Sequence, residues 1–134
     1  MPRRYPADDP REWLNRARSN LALAKAKRKG IYLEDLCFDA QQAAEKAIKA
    51  LLIKLNVSFP YVHDLSELLT LVEKAGQAVP ERIKRAEKLS RFAVFTRYPG
   101  IGPAIKETEY KEAVEVATAV VRWAENIVLP KRRK

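Results

Sequence analysis

His63 is the only histidine in the chain. Imidazole titrates near pH ~6.5, so acid or base work at neutral pH would fall to this residue. Arg97 and Tyr98 stand together before Pro99-Gly100. A guanidinium there can grip a phosphate while the phenol ring stacks on a base. Each also has a plainer role. His63 precedes Asp64, a helix-cap type, and can simply bond a backbone group. Arg97 can offset the negative end of a helix. Lys46 and Lys49 are read as solvent-facing cations, with Lys46 the candidate for lining the same groove. Cys37, the single cysteine, lies in an apolar seam and reads as a reduced, buried structural thiol. No Gly-rich phosphate loop, His-Glu-x-x-His or cysteine pair is present, and no metal site is expected.

The element that must position these groups is CFDAQQAAEKAIKALLIKL, residues 37–55. It has no Gly or Pro and few β-branched residues, so it predicts a strong helix from about Leu33 to Leu55. Leu33, Cys37, Ala40, Ala44, Ala47 and Leu51 form one apolar seam at spacings of four and three. Phe38, Ile48, Leu52 and Leu55 fit a second, whose missing slots are filled by Gln41 and Glu45. A polar pair in such a stripe can face a second subunit, where it specifies register, or a solvated groove. Phe38, Gln41, Glu45, Ile48 and Leu52 are therefore the interface candidates. The simpler reading only pairs Glu45 with Lys49 at i,i+4, worth ~0.2–0.5 kcal/mol, and leaves Gln41 at the margin of the buried face.

Four more helices follow from caps and periodicity. Asp9-Pro10-Arg11-Glu12 opens the first, with Trp13, Ala17, Leu21 and Ala24 facing inward. Lys27, Arg28 and Lys29 suit its C-terminal end, and Gly30 its close. After the linker NVSFPYVH, Asp64-Leu65-Ser66-Glu67 starts a helix with Leu65, Leu68, Leu69 and Val72 inward and Gly76 at its end. The fourth runs from near Pro80 with Ile83, Ala86, Leu89 and Ala93 on one side, stopping before Pro99. Thr108 is the expected cap of the fifth, which carries Ala113, Ala117, Val120, Ala124 and Ile127. Short connections make sequential helices antiparallel neighbours. The expected fold is all-α, an up-and-down antiparallel four-helix bundle with one additional short helix.

With 134 residues, one domain is expected over 1–134, its core at about 10–128 and basic tails at 1–8 and 129–134. The net charge is +9, but Arg3, Arg4, Lys131, Arg132, Arg133 and Lys134 sit at the ends, and the remaining basic residues nearly balance the 17 acidic ones. Such tails either contact RNA or an acidic partner, or simply fray and solubilise. The N-terminus has no apolar segment typical of a signal peptide, and no apolar run approaches the ~20 residues that span a bilayer. A cytoplasmic protein without membrane attachment is expected.

Three segments, taken in order, carry a resemblance: QQAAEKAIKALL at 41–52, VHDLSELL at 62–69 and FTRYPG at 95–100. Together they resemble the HEPN domain family, named for higher eukaryotes and prokaryotes nucleotide-binding, over roughly residues 10–128. The resemblance implies a helical bundle that dimerises, here a homodimer. It also implies a minimal nucleotidyltransferase as partner, often in a toxin–antitoxin pair, a nucleotide as possible ligand and no other cofactor. Other members of the family are metal-independent ribonucleases with an Arg-x4–6-His motif. This chain departs from that motif, since the nearest arginine before His63 is Arg28. The expected function is a non-catalytic HEPN protein with His63, Arg97, Tyr98 and Lys46 as nucleotide or phosphate contacts. The alternatives are an RNA-binding or RNA-cleaving toxin, in which Arg97 meets His63 in space, and a helical adaptor without ligand.

Overall fold

Asp9 starts the first helix by accepting a hydrogen bond from the Arg11 backbone N–H at 2.9 Å, with Pro10 at the first helical position. A computed structural model describes residues 2–94, 99 and 102–129 of the chain. The described elements are α1 (Pro10–Ala24), α2 (Leu33–Lys54), α3 (Leu65–Lys74), a single α-turn α4 (Glu81–Lys84) that runs into a 3₁₀ helix (Arg85–Ala93), and α5 (Glu107–Val128). Among the described residues there is no strand, as the low Gly content and the lack of alternation predict. Arg97, Tyr98 and the 131–134 tail lie outside the described residues.

The all-helical bundle stands, with α2 at its centre. Asn20 of α1 reaches both Asp39 and Lys46 of α2, while Trp13 meets Phe59 beyond the end of α2, so these two helices are antiparallel. The Tyr110 hydroxyl at the start of α5 donates to the Ala24 carbonyl at the end of α1, and Arg18 pairs with Glu125. Hence α5 also opposes α1 and runs the same way as α2, as an alternating bundle requires. Packing on several sides buries α2 almost all round, including Cys37, Ala40, Ala43, Ala44, Ala47, Ala50 and Leu51.

Several local expectations are corrected. α1 ends at Ala24 rather than near Gly30, because its last carbonyl is taken by Tyr110 and Lys27 leaves the helix to pair with Glu107. Leu14 is fully buried on α1, while Trp13 and Leu21 are only partly covered. The fourth helix is mostly 3₁₀. Ile83, Ala86, Leu89 and Phe92 are all buried at intervals of three, the period of a 3₁₀ helix, in which residues i and i+3 eclipse. Thr108 lies inside α5 rather than capping it. The helix begins after Lys106, whose backbone N–H donates to the Glu109 carboxylate at 3.0 Å. Finally, residues 2–9 are pinned along α1 instead of fraying: Tyr5 N–H donates to Glu12, Asn15 to the Arg3 carbonyl and Trp13 Nε1–H to the Ala7 carbonyl.

Candidate functional site

The site begins where α2 ends. Asn56 takes the left-handed conformation (φ 58°), and the N–H groups of Val57 and Asn56 return to the carbonyls of Leu52 and Ile53. This left-handed close satisfies the open carbonyls of the helix end and reverses the chain. Glu45 lies nine residues before Lys54, about 14 Å along the axis at 1.5 Å per residue. The linker up to His63 is long enough to fold back over that distance, since an extended chain spans ~3.3 Å per residue. Within it Val62 N–H turns back to the Pro60 carbonyl at 2.9 Å, a tight turn centred on Tyr61, and the rings of Phe59 and Tyr61 both come to Lys49 while Tyr61 meets His63. Asp64 then caps α3 by accepting from Ser66 N–H at 3.0 Å, and Leu65 N–H donates to Ser90 Oγ, which ties the segment down just after His63.

Under this linker sits a buried carboxylate. Glu45, only 4% exposed, accepts three hydrogen bonds. Gln41 Nε2 (2.9 Å) and His63 Nδ1 (2.8 Å) reach Oε1, and Lys49 Nζ (2.9 Å) reaches Oε2. Burial pushes the Glu45 carboxyl up, but the hydrogen bonds from Gln41, Lys49 and His63 together outweigh it and hold the group below its ordinary value. Gln41 is itself fully buried, and its carbonyl accepts from Gln42. Lys49 is 4% exposed, with its ammonium 5.6 Å from the ring centres of both Phe59 and Tyr61. Those faces supply the cation with a second partner besides the carboxylate.

This geometry fixes the histidine tautomer. An ionised carboxylate can only accept, so Nδ1 carries the proton and Nε2 is turned away from Glu45. The His63 side chain is 34% exposed and lies edge-on to Tyr61, 5.6 Å between centres; Tyr61 itself is 91% exposed. The Glu45 carboxylate thereby holds the imidazole ring in one orientation. Nε2 is thus set to donate to a phosphate oxygen or to take a proton from a substrate hydroxyl. On the α1 side of α2, Lys46 donates to Asn20 Oδ1 at 2.7 Å, and Asn20 donates on to Asp39 at 3.2 Å. Burial, aided by the nearby Arg16, lowers Lys46, and burial raises Asp39.

The structure therefore brings together His63, Glu45, Gln41 and Lys49, leaves Lys46 turned toward Asn20 of α1, and adds Phe59 and Tyr61, which sequence reasoning missed. The signal for these was present in the aromatics two and four residues before the histidine. Two readings are corrected. The Glu45–Lys49 pair forms but is buried, so Lys49 does not face solvent. Gln41, Glu45, Ile48 and Leu52 are covered within this one chain, which leaves them almost no surface to offer a second subunit. Phe38 is partly exposed. Among the described residues no group of three or more His, Cys, Asp or Glu side chains is placed to hold a metal ion, and no helix is long and apolar enough to cross a membrane.

Comparison with known proteins agrees with this architecture. The HEPN domain family model matches residues 10–127. The fold is similar to the crystal structure of TT1696 from Thermus thermophilus, at 32% identity and a TM-score of 0.77, covering 88% of this chain and 97% of that one. It is also similar to ST0689, described as an archaeal HEPN homologue, at 26% identity and a TM-score of 0.72, covering 90% of this chain and 98% of that one. No curated protein matches the chain. A family match across nearly the whole helical core, on a bundle of the same shape, makes this chain a member of the HEPN domain family.

Proposed function

We propose that this HEPN protein binds a nucleotide at His63 and serves as the partner of a minimal nucleotidyltransferase, in a toxin–antitoxin-like pair, as a homodimer. The observation that carries the nucleotide reading is the Glu45–His63 contact. A buried carboxylate holds the imidazole with Nε2 outward, beside an almost fully exposed tyrosine. Nε2–H donates to a phosphate oxygen, and Tyr61 offers a ring on which a base stacks. The non-catalytic part of the reading rests on the sequence, which has no arginine between Arg28 and His63 to complete the ribonuclease motif.

The test is a calorimetric titration of ATP into the purified protein and into His63→Gln. A charge-assisted hydrogen bond contributes ~1.5–3 kcal/mol, so the variant should bind ~10–100-fold more weakly. Equal affinity would remove His63 from the site. Native mass spectrometry of the complex drawn gently from its own cells tests the partner: added mass from a second protein supports it, and a bare multiple of 15.3 kDa opposes it.

The same contact favours a second reading, RNA cleavage without a metal. His63 Nε2 would take the proton from a ribose 2′-hydroxyl; the 2′-oxygen would bond to the adjacent phosphorus as the bond to the 5′-oxygen breaks, and water would return a proton to that oxygen. The expected signature is a 2′,3′-cyclic phosphate product that disappears in His63→Ala. Cleavage unchanged in that variant would end this reading.

A further inference from the structure

The N-terminal segment is an ordered strap with little apolar surface to justify its order. Three hydrogen bonds hold it against α1: Tyr5 N–H to Glu12 Oε1 (2.9 Å), Asn15 Nδ2 to the Arg3 carbonyl (2.8 Å) and Trp13 Nε1 to the Ala7 carbonyl (2.7 Å). The guanidinium groups of Arg3 and Arg11 also lie over the Tyr5 ring, at 5.4 and 4.1 Å. These contacts fix the backbone on either side of Arg4. What they build is a pocket of about 190 Å³ on the outer face of α1, lined by Arg3, Arg4, Glu12, Asn15, Arg16 and Ser19. That is well above the ~10–15 Å³ needed to hold one water.

The lining is strongly cationic. Three arginines and one glutamate line it, and both oxygens of that carboxylate are engaged, one by Tyr5 N–H and the other by Arg16 Nε at 2.8 Å. The Tyr5 backbone bond and the Arg16 bond hold the Glu12 carboxyl below its ordinary value, so it stays an anchor and not a proton donor. Arg16 gives Glu12 only its Nε–H, which leaves the remaining donors of its planar fork for another acceptor. Arg4 forms no ion pair among the described residues. Ser19 adds a hydroxyl at the rim. Convergent guanidinium groups around a small concavity suit a compact tetrahedral anion, because each can meet two of its oxygens in parallel.

We infer that this pocket is a binding site for a phosphate monoester, held between the guanidinium groups of Arg3, Arg4 and Arg16. It does not depend on the reading of His63. The phosphate can belong to a free nucleotide or to the 5′ end of a nucleic acid strand, and the test separates the two.

The experiment is a ¹⁵N NMR titration of the full chain, following backbone amides and arginine Nε–H signals. The probes are AMP against adenosine, and a short single-stranded RNA with a 5′-phosphate against the same strand with a 5′-hydroxyl. Phosphate-dependent shifts are expected at Tyr5, Arg4 and Arg16. Arg4→Gln should weaken the phosphorylated probe about tenfold with an unchanged melting temperature, and His63→Gln should leave the shifts in place. AMP and the 5′-phosphorylated strand binding alike points to a mononucleotide site; a preference for the strand assigns the 5′ end. The inference is overturned if no probe binds, if shifts ignore the phosphate, if Arg4→Gln binds as tightly as the native chain, or if the shifts vanish in His63→Gln.

Discussion

Replacing Glu45 by Gln keeps the volume of the side chain and removes its charge. The consequences follow from the three donors around it. Lys49, 4% exposed, loses the carboxylate at 2.9 Å, and its ammonium keeps only the faces of Phe59 and Tyr61. The new amide has one acceptor oxygen for three donors on two sides, so either Lys49 or the Gln41–His63 pair meets an N–H group. Breaking a buried ion pair from one side costs about 3–5 kcal/mol, a large share of the ~5–15 kcal/mol total of an ordinary domain. With a urea dependence of about 1.5 kcal/mol per molar, the unfolding midpoint should fall by ~2–3 M. Lys49→Met placed on top of Glu45→Gln removes the stranded cation and leaves an apolar stem against the two rings. The double variant should therefore be more stable than Glu45→Gln alone by at least ~1 kcal/mol. A loss below ~1 kcal/mol for Glu45→Gln, or a double variant less stable than the single one, would refute the reasoning.

The same group sets an acid limit. Its folded pKa lies below the ordinary value of 4.5, so its contribution is fully present above that value. It is lost as pH falls below 4.5 and through the folded pKa. Urea midpoints measured from pH 7 downward should fall more steeply below that point in the native chain than in Glu45→Gln. Two further substitutions probe the packing. Tyr110→Phe deletes the hydroxyl that donates to the Ala24 carbonyl at 2.6 Å and leaves the end of α1 without that partner; a loss of ~1–3 kcal/mol is expected in thermal unfolding, and an unchanged melting temperature would show that water replaces it. Cys37 is fully buried and its thiol is pushed up to about 12 by burial; a disulfide reagent at pH 8 should modify it only as fast as the protein opens, so rapid labelling of the folded chain would contradict its placement.

Much of the scaffold was legible because it rests on local physics. Asp9-Pro10 and Asp64 start helices where their side chains and fixed φ angle favour it, and the uninterrupted helix formers of 33–54 favour one long helix. The period of three in Ile83, Ala86, Leu89 and Phe92 also stood in the sequence, although Ala93 can complete a helical pattern as well as Phe92 completes a 3₁₀ one. The end of α1 was not legible. Lysines and a glycine suit a helix end at residue 30, but a tyrosine 86 residues away takes the carbonyl that ends it at Ala24.

The candidate site divides in the same way. The sequence by itself determined which groups are available: one imidazole, a carboxylate and a lysine one turn apart on a helix, and aromatics alternating up to His63. Family membership was legible in the same residues. Only the tertiary structure decided that Glu45 and Lys49 are buried. An i,i+4 pair has the same local geometry on a wet face and inside a bundle, and the difference lies in what covers it. Here the cover is the linker, turned back by the left-handed Asn56 and anchored at Asp64 and Ser90. Burial makes the pair strong, selects the Nδ1–H tautomer of His63 and aims Nε2 outward. These are consequences of desolvation, which depends on every element packed around α2 and so is not encoded in any single stretch of the chain.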